Sequence, residues 1–107
     1  MKYIMVQHDI GNGVIQKLPI IFPKQLVHRF MAQAIVPYLR HRHGFDNVEV
    51  VSAGECNLVG ACVVCSGESE TLKLKAAPGD ADIIMTFDYT QGLDDLEPQQ
   101  QKGKNAQ

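Results

Sequence analysis

Two spacings of apolar side chains alternate along the first ninety residues. Residues 2–8, Lys-Tyr-Ile-Met-Val-Gln-His, are a short apolar run of strand length, and residues 14–22 set Leu18, Ile20 and Phe22 on one face of a second strand. Asn12-Gly13 between them tolerates positive φ at both positions, the mark of a hairpin turn. Pro19 has no amide proton to give a ladder, so the second strand is predicted at a sheet edge or with a bulge there. From Pro23 the period changes. Val27, Phe30, Met31, Ala34, Ile35, Tyr38 and Leu39 recur at helical spacing, which predicts a helix over 24–43 with Pro23 in its first turn. Gly44, behind the basic run Arg40-His41-Arg42-His43, is a natural terminator. Pro37 lies inside this span and predicts a kink or two shorter pieces.

The second half reads mostly as strands. Residues 47–53 and 58–65 are both extended in pattern, with Gly54-Glu55-Cys56-Asn57 as a hairpin link. Residues 70–75 alternate with Leu72 and Leu74 inward, though a short helix capped by Ser66 or Ser69 competes. Pro78-Gly79-Asp80 is a turn, and residues 82–88 are predicted as a strand. From residue 91 the chain turns polar, and 91–107 is expected to be a flexible tail behind a compact domain of residues 1–90. About five strands and one early helix give an α+β fold. It is expected as a two-layer domain, a mainly antiparallel or mixed sheet with one long or kinked helix packed on one face. The other face then needs cover, which a second copy supplies most simply, so a homo-oligomer is expected.

Composition narrows the function classes. The chain has 107 residues, 45% of them hydrophobic and 21% charged, which is globular rather than disordered composition. No apolar run approaches the roughly 20 residues of a membrane span, and the first residues lack the pattern of a secretory signal. Three cysteines are an odd number for a disulfide framework, so a cytoplasmic, reducing setting is expected. The net charge of −2 argues against a dedicated nucleic-acid binder, leaving weak contact through Arg29, Arg40 and Arg42 as a minor alternative.

Two groups of residues could carry chemistry. Cys62-Val-Val-Cys65 has the spacing of zinc and thiol-redox sites, and His41 and His43 could complete a zinc set. On a regular strand, however, residues 62 and 65 point to opposite faces, and only a turn would bring them together. The second group is a polar rim: His8 and Asp9 after the first strand, Ser52 after the third, Asp88 after the last. Were these strands parallel, the four would gather at one edge, where a His-Asp pair could activate the serine. Each group also has a plain structural reading, as buried thiols, a solvated helix end and turn formers.

Residues 32–54 loosely resemble the first helix and second strand of low-molecular-weight protein tyrosine phosphatases, and Asp80–Asp88 with Leu93 and Leu96 resembles a later strand-to-helix step there. The likeness covers less than half of the chain. The family's specific motif is a cysteine, five intervening residues and an arginine after the first strand. Here His8-Asp9-Ile10-Gly11-Asn12-Gly13 stands in that place, and Arg42, the last arginine, precedes every cysteine. The resemblance therefore implies no nucleophile and no phosphate clamp, only that strands one and three are parallel neighbours. The expected role is a small, self-associating accessory or interaction module without catalytic activity, with a cysteine/histidine metal domain or enzyme as the alternative.

Overall fold

The computed structural model describes residues 1–90, so the expected tail, 91–107, lies outside the described residues. The order is β1 (Lys2–Asp9), β2 (Ile15–Phe22), α1 (His28–Arg42), β3 (Asp46–Val59), β4 (Cys62–Ser66), β5 (Glu68–Ser69), β6 (Leu74–Lys75) and α2 (Asp80–Thr86). The fold is α+β. Four antiparallel strands lie in the order β2-β1-β3-β4, and β5 and β6 pair as a separate small ladder.

The first hairpin forms where the sequence predicts it. Gly11, Asn12 and Gly13 all take positive φ, and the amide of Ile10 closes the turn on the Val14 carbonyl. Counting outward from that closure, bonded and non-bonded pairs alternate, so Met5 and Pro19 face each other as a non-bonded pair. The proline nitrogen thus points away from β1, and the edge strand loses no ladder bond.

β1 is central and buried on both faces. Ile4 and Val6 pack with Phe22, Ala32, Leu39, Val48 and Ala53 under α1, while Tyr3 and Met5 pack with Cys56 and Ile84 under α2. The expected two-layer arrangement is therefore corrected: a helix lies on each side of the sheet. α1 begins at His28 rather than near residue 24 and runs through Pro37. It ends at the His43 cap, and Gly44 behind it has a φ of +67° that lets the Phe45 amide reach back to the Leu39 carbonyl.

The larger departures lie after residue 53. The expected hairpin at 54–57 is absent, because β3 continues as one strand to Val59, and the turn is Gly60-Ala61. Gly60 supplies the positive φ that a two-residue turn with glycine first demands. Residues 82–88, expected as a strand, belong mainly to α2. Asp80 and Asp82 in its first turn favour the helix N-terminus, and Ile84, with Ile83 beside it, packs against the sheet. Of residues 70–75, only Leu74–Lys75 pair as strand. These changes reduce the expected five-stranded sheet to four strands plus the small ladder. β1 and β3 are indeed neighbours, but antiparallel rather than parallel.

Gly54 explains why β3 passes straight through a segment that reads as a turn. A Cβ there would sit 2.5 Å from the Ser66 carbonyl oxygen and 3.2 Å from the Ala76 side chain, so the residue is small to admit the β5–β6 ladder. Its own carbonyl accepts a hydrogen bond from Nε2 of the buried His28, 2.9 Å away, which ties α1 to the sheet at the same point. Gly54→Ala should lower stability by about 1–3 kcal/mol, the usual range for overpacking, as read from urea denaturation midpoints.

Candidate functional site

The most heavily bonded buried polar group is one that the sequence does not mark as chemical. Asp80, at the start of α2, is 1% exposed. Its Oδ2 accepts from the Tyr3 hydroxyl at 2.5 Å, from the Ser52 hydroxyl at 2.7 Å and from the Ala77 amide at 3.0 Å. Tyr3 comes from β1, Ser52 from β3, and Ala77 from the turn leading into α2. Three elements therefore meet on one oxygen. The position of Ser52 depends on a register shift: Met5 pairs with Ser52 and Val6 with Val50, so Val51 is an extra residue and β3 is bulged beside the node.

Two thiols adjoin this node. Cys56 and Cys65 face each other across β3 and β4 on the α2 side of the sheet, the first buried and the second half-buried. Burial pushes both thiols above their ordinary range, and the phenol of Tyr3 opposes this for Cys65. Burial, and then the Asp80 side chain, hold the Tyr3 phenol well above the ordinary tyrosine value. Tyr89, whose hydroxyl donates to the Ile84 carbonyl at 2.8 Å, is raised by burial as well.

The candidate residues read from the sequence are scattered. Cys62 is exposed beside the Gly60-Ala61 turn, and the regular strand β4 sends it to the face opposite Cys65. His43 is the residue that caps α1, edge-on to Tyr38, and His41 lies in the last helical turn. Among the described residues no three His, Cys, Asp or Glu side chains gather at metal-binding distance. The polar rim does not assemble either. Ser52 is buried in the Asp80 node, whereas His8 lies on the α1 face, stacked on Phe45 with centroids 4.0 Å apart, its Nδ1 without a partner. Asp9 is engaged at the first hairpin, accepting from the Gly11 amide at 2.9 Å. Asp88 bonds Thr90, which holds its carboxyl below the usual range. Of the arginines, Arg40 donates to the Val48 carbonyl at 3.1 Å, while Arg29 and Arg42 are exposed on α1.

Two open hollows flank the small ladder. One of about 360 Å³ is lined by Glu68–Glu70 and Lys73–Lys75, the other of about 250 Å³ by Lys2, Val27, His28, Glu55 and residues 68–71. Both mix charges of either sign, and neither includes a cysteine or the Asp80 node.

The sheet edge is the remaining feature. Among the described residues β4 has one neighbouring strand, β3. β3 and β4 reach past the end of β1, whose last bond to them runs from the Cys56 amide to the Met1 carbonyl. On this projecting hairpin Leu58 is 73% exposed, Val59 60% and Val64 46%. Compared with protein-family models, with curated proteins and with solved structures, the chain matches none.

The phenols and thiols around Asp80 set an alkaline limit on the fold. Each keeps its proton in the folded chain beyond the pH at which it ionises in the unfolded one. Their contribution is intact below the ordinary values of about 9 for the thiols and 10 for tyrosine, begins to fall there, and is lost as pH rises through the raised values of the folded chain. Denaturation midpoints should therefore fall above about pH 9. Tyr3→Phe should flatten the part of the decline above about pH 10 while lowering neutral-pH stability by about 1–3 kcal/mol, since Asp80 loses a buried donor.

Proposed function

We propose that this protein is a small interaction module that self-associates through the free edge of β4. The observation that carries the reading is the contrast between the two outer strands. β2 carries Lys17 and Pro19, two devices by which natural edges resist further pairing. β4, Cys62-Val-Val-Cys-Ser66, carries neither a charge nor a proline. Its outward main-chain groups belong to Val63 and Cys65, because those residues form non-bonded pairs with β3. A second copy of the strand, running antiparallel across a two-fold axis, would satisfy them and cover Val64 with its own counterpart.

The support comes from the edge and not from an open sheet face, since α2 packs on the side that the sequence left uncovered. Exposed Leu58 and Val59 on the same hairpin add apolar area next to the strand. Light scattering behind size exclusion tests the reading. The unaltered protein should run as a dimer. Val64→Lys places like charges near each other across the axis and should weaken dimerisation at least tenfold, about 1.4 kcal/mol, with the folded circular dichroism spectrum retained. A monomeric unaltered protein overturns the reading, and so does a Val64→Lys variant as dimeric as its parent.

A further inference from the structure

We propose that Cys56 and Cys65 form a thiol–disulfide pair that closes across β3 and β4 by exchange with small-molecule disulfides, and that the Cys62/Cys65 spacing visible in the sequence is not the reactive pair.

Register sets the two cysteines opposite each other. Val59 and Cys62 flank the two-residue turn and exchange hydrogen bonds, so bonded and non-bonded pairs alternate from there: Leu58–Val63 non-bonded, Asn57–Val64 bonded, Cys56–Cys65 non-bonded. An independent contact gives the same result. The Cys56 amide donates to the Met1 carbonyl at 2.9 Å, and because both main-chain groups of a strand residue point the same way, Cys56 turns its backbone toward β1 and away from β4. Non-bonded antiparallel pairs bring their Cα atoms to about 4.5 Å, with the side chains closer than in bonded pairs. Disulfides span Cα separations of roughly 4.4–6.8 Å, so the pair can close without moving the strands. Both side chains pack into one cluster with Tyr3, Met5 and Ile84, which puts them on the same face. Cys62 fails both conditions. It lies on the other face, and three steps along the strand set its Cα about 10 Å from that of Cys65, beyond the limit of about 7 Å.

Exposure orders the steps. Cys65, the half-buried member, loses its proton to solvent and attacks the oxidant, giving a mixed disulfide and one released small thiol. The buried Cys56 then loses its proton and attacks the Cys65 sulfur, forming the Cys56–Cys65 bond and releasing the second thiol. The protein gives up two electrons and two protons, and the small disulfide is reduced to two thiols. Because burial raises both thiols, closure quickens as the solution becomes more alkaline. The bond needs one copy of the chain only, so it stands or falls separately from edge pairing.

The test uses the full-length reduced protein, folded, in glutathione buffers of graded oxidised-to-reduced ratio. Samples are acid-quenched, alkylated and mapped by mass spectrometry. The expected product has lost two hydrogens, retains a single alkylated cysteine, Cys62, and yields a peptide joining Cys56 to Cys65. Cys62→Ser should close at the same ratio as the parent. Three outcomes would overturn the proposal: a cross-link involving Cys62, a glutathione adduct that persists on Cys65, or three alkylated cysteines across the whole series.

Discussion

The structure depends on one strand being wet on neither face. Tyr3, Ile4, Met5 and Val6 of β1 are all fully buried, so each of their two alternating sets must be covered by something. α1 covers the even set. The odd set carries a phenol, and this decides how its cover is built. A buried hydroxyl needs an acceptor, and the acceptor is the first side chain of α2. Asp80 thereby fixes where the second helix starts, which strand residues lie beneath it, and why Ser52 rather than an apolar residue faces it across the bulge. Three donors on one buried oxygen satisfy the group that burial would otherwise penalise by several kcal/mol.

What was legible in the sequence, and what was not, divides by whether the signal is local. The Asn12-Gly13 turn, the edge character conferred by Pro19 and the stop at Gly44 each rest on the backbone preferences of one or two residues, and all three appear in the structure. The segment after residue 53 does not follow local rules. Gly54 is there because another piece of backbone comes close, not because the chain turns. Ile83 and Ile84 have strand-forming side chains, yet the node at Asp80 and the preceding Pro78-Gly79 start a helix. Contacts from distant residues outweigh propensity in both places.

The relations among the candidate residues are non-local for the same reason. Moving the hairpin from 54–57 to Gly60-Ala61 lengthens β3 and sets Cys56 opposite Cys65, a relation that no spacing along the chain encodes. Likewise His8 and Ser52 sit on neighbouring strands, but on opposite faces of the sheet, so antiparallel pairing disperses a rim that parallel strands would have gathered. Tyr3 and Asp80, 77 positions apart in sequence, could be linked only by the topology.

The central place of β1 also carries a consequence for how the chain is made. β1 leaves the ribosome well ahead of its inner neighbour, β3, which begins at Asp46, and of the helix that seals its odd face, which begins at Asp80. Until then β1 has only β2 beside it and α1 over its even face, and an isolated two-stranded hairpin is marginal in water. The nascent protein therefore carries its most buried strand open on one face until α2 is made, and the fold is completed by late, long-range closure, the regime in which folding is slow and chaperones compete with aggregation.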